Sequence, residues 1–224
     1  RVRGSVNRVI GMSSNLNFKA TEELHIDAGS AAFVLDDLKS ETFVFERFFL
    51  FGGWERPPVC AVDNRDGAAV VVRHMSWTCH RFKRNHPGQR WYVEDVSGSR
   101  KGPWTFGRNE KFWARQLNPE SPRPPMIVLE NGAQAWVLGL KTEGRTTHVD
   151  ASGGSKAEIL GGVSYQSWAK QPKGLPMFKF VDSQASVTFG FYHYGDRYFD
   201  TIVEETHDGE TRTLPRKQLK GCHL

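Results

Sequence analysis

The chain has 224 residues, a net charge of +5 and 38% hydrophobic residues, enough to bury a core in one elongated domain or two small ones. Its 22 glycines, 11 prolines and 12% aromatic share argue against disorder and for a turn-rich β protein. No apolar run approaches the roughly 20 residues of a membrane-spanning helix. A basic balance favours polyanions such as nucleic acid, anionic lipid or an acidic polysaccharide, or belongs to a soluble protein that is simply basic. No dense Lys/Arg run, RNP-type motif or basic helix supports a nucleic-acid reading.

In chain order, residues Val2 to Met12 read as a pair of strands. The chain opens on Arg1 with no charged leader and apolar stretch, which reads as a fragment or a trimmed mature chain. Glu22 to Leu38 mixes charge with apolar residues, but Gly29-Ser30 interrupts it, so little helix is expected. Runs rich in β-branched and aromatic residues follow: Thr42–Phe45, Val70–Val72, Ala135–Leu138 and Ser186–Phe189. Turn formers separate them, at Asp63–Gly67, Asn131-Gly132, Ser152-Gly153-Gly154 and Asp208-Gly209. Two loops stand out, a basic one at His80–Arg90 and a proline-rich one at Asn118–Pro125. The polar tail 206–224 is expected to leave the ordered body of residues 1–205. Cys60, Cys79 and Cys222 show no metal-like spacing, and a Cys60–Cys79 disulfide stays open.

An aliphatic–acid phrase recurs at Leu35-Asp36, Val62-Asp63, Val93-Glu94, Leu129-Glu130, Val149-Asp150, Val181-Asp182 and Val203-Glu204, with acids 27, 31, 36, 20, 32 and 22 residues apart. A unit of that length predicts stacked coils, an all-β parallel β-helix of about seven turns. The Asn-Gly and Asp-Gly steps also suit hairpins, so an antiparallel β-sandwich is the alternative. A cation or His stands eleven residues after four of the acids, at Arg47, His74, Lys141 and His193, and Arg115 matches Glu94 if about ten residues are inserted.

Stacked acids 4.8 Å apart repel unless paired or bridged. Glu94, Asp95 and Glu130 are therefore candidates to hold sugar hydroxyls or Ca2+, although Asp and Glu also open turns and face water. Arg115 and Lys141 are candidates to stabilise developing negative charge, and His148 is the acid/base candidate. The competing explanation is cross-turn ion pairing. Among the aromatics, Trp91 and Trp104 flank glycine and basic loops and are read as sugar-binding, whereas Trp113 and Trp136 are read as core.

The run Ile127–Tyr165 resembles coils of secreted, glycan-active proteins of the pectate-lyase superfamily, in the phrases Trp136–Gly144 and Gly153–Gly162. Gly102–Phe106 and Trp113–Asn118 are similar to the same branch. The resemblance spans roughly residues 1–205 and implies a right-handed parallel β-helix, the C-terminal coils of a longer secreted chain. It also implies a lyase or hydrolase of an acidic polysaccharide, or a non-catalytic structural or adhesive segment, and carries over no catalytic signature.

Overall fold

The computed structural model describes residues 1–17, 31–51, 60–77, 86–98, 103–120, 125–144, 146–166 and 174–219. Seventeen strands carry the chain: β1 (Val2–Gly4), β2 (Arg8–Asn17), β3 (Ala31–Leu38), β4 (Thr42–Phe51), β5 (Cys60–Asn64), β6 (Ala69–Trp77), β7 (Arg90–Gly98), β8 (Trp104–Phe106), β9 (Lys111–Pro119), β10 (Ile127–Leu129), β11 (Gln134–Thr142), β12 (Val149–Ser152), β13 (Lys156–Gln166), β14 (Phe178–Val181), β15 (Gln184–His193), β16 (Thr201–His207) and β17 (Glu210–Pro215). The helical content of the described residues is one 3-10 turn at Arg216–Gln218.

Long and short strands alternate and stack on different walls. The long strands form one eight-stranded parallel sheet in the chain order β2-β4-β6-β7-β9-β11-β13-β15. The short strands form a three-stranded sheet, β1-β3-β5, and a six-stranded sheet, β8-β10-β12-β14-β16-β17. The result is a parallel β-solenoid of about six turns, one fewer than the seven expected. The antiparallel sandwich is overturned: every strand pair is parallel except β16–β17.

The Asn-Gly step that suggests hairpins makes a corner instead. Arg108-Asn109, Asn131-Gly132 and Gly153-Gly154 each place two residues at positive φ between a short strand and the next long one. The corners stack by backbone bonds, Asn109 N–H to Asn131 O at 3.0 Å and Gly132 N–H to Gly153 O at 2.9 Å. Two left-handed residues in series turn the chain onto the next wall of the coil. A second bend divides the long strands, at positive φ on Arg47, His74, Asp95, Gln116, Gly139 and Gly161.

Period-two alternation sends one side of every strand inward. Phe43, Val70, Trp91, Phe112, Ala135 and Ala157 form one register column of the long sheet. Phe45, Val72, Val93, Ala114, Val137 and Ile159 form the next, and all twelve side chains are buried. Trp104, Ile127, Val149 and Phe178 face them from the short sheet. Bulk is shared across a coil: Phe106 on a short strand stacks on Phe112 of the following long strand, ring centroids 4.3 Å apart. Burying a Leu- or Phe-sized side chain contributes roughly 1.5–3 kcal/mol, so these columns carry most of the stability.

The aliphatic–acid phrase does not form one acid column. Asp63 is in register with Val34, not Asp36. Glu94 lies on the long sheet, opposite Arg73 and Arg115, while Asp150 lies on the short sheet between Val128 and Lys179. Corner lengths differ between coils, so equal offsets in sequence are not equal heights in the stack. Among the cations and histidines that follow the acids, only Arg47 and His74 fall at one level, each at the bend. The tail does not leave the stack at 206: β17 folds back antiparallel on β16 and covers that edge of the short sheet. Cys79 and Cys222, most of the basic loop His80–Arg90 and Pro122 to Pro124 of the proline-rich loop lie outside the described residues, as does the side chain of Cys60.

Candidate functional site

The outer face of the long sheet carries three parallel columns before the bend. The middle one is apolar and aromatic: Val71, Tyr92, Trp113 and Trp136 in register, with Glu158 next. Tyr92 stacks on Trp113 with centroids 4.8 Å apart and planes within 7°, and Trp113 stacks on Trp136 at 5.1 Å and 8°. These spacings are the strand spacing itself. Both faces of the Trp113 ring are therefore covered by its neighbours, and the stack shows ring edges to solvent.

On one side of the aromatics runs a charge ladder, Glu46, Arg73, Glu94 and Arg115, continued by Leu138 and Leu160. Glu94 accepts from Arg73 Nε at 3.2 Å and lies 3.7 Å from Arg115 Nη2. On the other side Arg90, Lys111, Gln134 and Lys156 share a column. Arg90, Lys111 and Lys156 are exposed. Among the described residues none of these three cations has an ion-pair partner. Between the aromatic column and the charge ladder lies a shallow trough of about 450 Å3, lined by Arg73, Tyr92, Trp113, Arg115, Trp136 and Leu138 among others. The basic column stands outside it, on the far side of the aromatics. Leu138 is 55% exposed and Leu160 44%, so the face is amphipathic: apolar in the middle, basic on one rim, charge-balanced on the other.

The structure places the sequence-derived candidates in five different settings. Glu94 and Arg115 meet on this outer face. Asp95 stands at the next position, at the bend, with its carboxylate 3.1 Å from His74 Nδ1. Glu130 is exposed on the corner after β10, on the short-strand wall, and does not join Glu94. Lys141 lies beyond the bend and is held by Glu120 at 2.9 Å and Glu143 at 2.6 Å. Partial burial works against its charge, but the two carboxylates outweigh this and raise its pKa.

Three candidates point inward. Trp91 and Trp104 are buried in the core, so they offer no surface to a sugar. Trp91 also donates its indole N–H to the buried Glu110 carboxylate at 3.0 Å. His148 is fully buried among Phe178, Phe189 and Phe199. Its Nδ1 faces the Thr146 carbonyl at 2.8 Å and must donate to it, which leaves Nε2 to accept from the Ser164 hydroxyl at 2.9 Å. Gln166 in turn donates to Ser164. Burial pushes the His148 pKa down to about 4, only partly countered by the Thr146 carbonyl. It is a neutral core histidine in a satisfied polar chain. Arg115, Lys141 and His148 thus do not form one centre.

The expectation for the tryptophans is reversed: Trp113 and Trp136, read as core, face outward. Strand parity held the signal. Trp113 shares its side of β9 with Lys111 and Arg115, and Tyr92 shares its side of β7 with Arg90 and Glu94. The basic column was also missed, because its members lie 21 and 45 residues apart in sequence and only the register aligns them. Comparison with family models, with curated proteins and with solved structures finds no match for this chain.

Proposed function

We propose that this β-solenoid binds an acidic polysaccharide along the outer face of its long sheet. The observation that carries the reading is the exposed column of Arg90, Lys111 and Lys156 beside the stacked aromatic column. A linear polyanion laid along the stack meets cations spaced by one and then two coils, about 5 and about 10 Å. Its carboxylates need charge and its apolar ring edges need a dry surface, and the two columns supply one each. The partner is thus a uronate-type glycan, and the protein works outside the cell, where such polymers lie. The pectate-lyase-like phrases between Ile127 and Tyr165 fit the same reading.

Depolymerisation is the further step of this proposal. A uronate lyase needs a cation on the carboxylate and a base at the adjacent C–H. Glu94, with Arg73 and Arg115 on either side of it, is a grouping of that kind on this face.

A second reading, a non-catalytic structural or adhesive segment, is favoured by the rings themselves. Trp113 covers its neighbours' faces and is covered by them, as a stabilising ladder would be. Electrophoresis of the purified chain through gels containing polygalacturonate, alginate or a neutral glucan separates the two. Retardation by an acidic polymer alone, lost in the Arg90→Ala/Lys111→Ala/Lys156→Ala variant with an unchanged melting curve, supports binding. Equal mobility in all gels leaves the structural reading. A rise in ultraviolet absorbance from unsaturated uronates in the same mixtures would add lyase activity.

A further inference from the structure

At the far end of the solenoid, three metal-ligating side chains from two separate elements come together. Asp182 follows β14, His207 ends β16 and Asp208 opens the β16–β17 turn. The pairing of Val181 with Thr206 brings Asp182 level with His207. His207 Nδ1 lies 3.5 Å from Asp182 Oδ1, and its Nε2 lies 3.5 Å from Asp208 Oδ2. One donor atom from each residue falls within 4.8 Å of the other two. The Asp208 N–H also donates to Asp182 Oδ1 at 3.1 Å, fixing the turn against the end of β14.

We infer that Asp182, His207 and Asp208 form a zinc-class divalent cation site that ties the β16–β17 cap to the body of the solenoid. The donor set is one imidazole and two carboxylates, which suits Zn2+ and not Ca2+, an ion that collects six to eight oxygens. Zinc bonds of about 2.0–2.2 Å at tetrahedral angles put ligand atoms about 3.3–3.5 Å apart. The His207–Asp182 separation already matches. Asp208 stands at the other ring nitrogen, within 4.8 Å of the other two donor atoms, so its side chain must turn toward Nδ1 to join the ion. The surroundings favour a cation. An open trough of about 340 Å3 beside the trio is lined by Glu205, His207, Asp208, Glu210 and Arg212. Counting Asp182, four carboxylates there face one guanidinium, and that guanidinium is engaged by Glu210 at 3.4 Å. The trough leaves room for water or Glu210 to complete the coordination.

The position gives the ion a role. Terminal coils of a solenoid lack a neighbour on one side and need a cap. Here the cap is the hairpin β16–β17, and Asp182 is the point where the preceding coil reaches its tip.

The test is calorimetric titration of ZnCl2 into the full chain after EDTA treatment, with thermal unfolding followed in parallel. One saturable site is expected, with affinity reduced at least about tenfold in both His207→Ala and Asp182→Asn. His74→Ala, which alters a separate exposed His–Asp pair, should leave it unchanged. Zinc should raise the unfolding midpoint of the parent and of His74→Ala but not of His207→Ala. All three positions are exposed, so the variants should melt with the parent in the absence of zinc. No saturable heat, an unchanged affinity in His207→Ala, or an equal loss in His74→Ala would each overturn the assignment.

Discussion

Trp113 and Trp136 lie face to face across neighbouring coils, their centroids 5.1 Å apart and their planes within 8°, and Tyr92 continues the stack on the other side. Trp113 is the middle ring and makes both contacts. Each aromatic pair contributes about 0.5–1.5 kcal/mol beyond area burial. Trp113→Ala should therefore cost about 1–3 kcal/mol, and Tyr92→Ala, with one stacked partner, should cost less. Urea unfolding of the two variants checks this. A larger loss for Tyr92 would mean the stack is not the stabilising unit.

The binding proposal rests on position and not on net charge, and two lysines separate these. Lys111 stands in the basic column beside the aromatics, while Lys141 is held by Glu120 and Glu143 beyond the bend. Either Lys→Ala change removes one positive charge. Lys111→Ala should weaken polyuronate binding by about two- to fivefold, the equivalent of 0.5–1 kcal/mol. Lys141→Ala should leave it unchanged. The parent's affinity should also fall as salt is raised toward physiological strength, where the screening length is about 8 Å. Equal effects of the two lysines in affinity electrophoresis would refute the column as the binding surface.

The coil architecture was legible in the sequence because its turns and β-branched runs recur. Thr42–Phe45, Val70–Val72, Ala135–Leu138 and Ser186–Phe189 all lie within long strands. The site was less legible for a physical reason. Whether a residue faces in or out depends on strand parity, and which residues share a column depends on register. Trp91 and Trp113 are alike by composition and neighbourhood, but each sits on the opposite parity of its strand. Register is set by corner lengths: the acids of the aliphatic–acid phrase are similar in sequence yet fall on different sheets.

His148 makes stability depend on pH, with a sign that follows from its burial. Its ordinary value of 6.5 is lowered to about 4 in the folded chain. Between these values the unfolded chain binds the proton and the folded chain does not. The contribution is fully present above pH 6.5, declines as the pH falls, and is gone below about pH 4. A shift of that size corresponds to roughly 3 kcal/mol. Carboxylates titrate in part of the same window, so the comparison is with His148→Asn, which cannot titrate. The difference in unfolding free energy between parent and variant should narrow from pH 7 to pH 4. A constant difference would mean that folding does not shift the His148 pKa.

The bend in the long strands gives the sharpest test of the geometry, because two glycines beside it are needed for different reasons. Gly139 stands in the bend column at φ +78°, opposite Gln116. A Cβ there would meet nothing closer than the Gln116 nitrogen at 3.7 Å, so Gly139→Ala pays only for the left-handed backbone, about 1–2 kcal/mol. Loss of unfolded-state freedom returns part of that. Gly162 has no such φ, but its Cβ would lie 2.6 Å from the Leu140 carbonyl oxygen and 2.7 Å from the Phe189 ring. That oxygen belongs to the β11–β13 ladder and cannot yield without disturbing the pairing, so overpacking should cost Gly162→Ala about 1–3 kcal/mol, against which the same unfolded-state gain counts. His74, Asp95 and Gln116 already hold positive φ without glycine, so the column tolerates side chains. Gly139→Ala should therefore remain folded and the milder of the two in urea. If it proves the more damaging, the bend is not the tolerant left-handed column that stacks these coils.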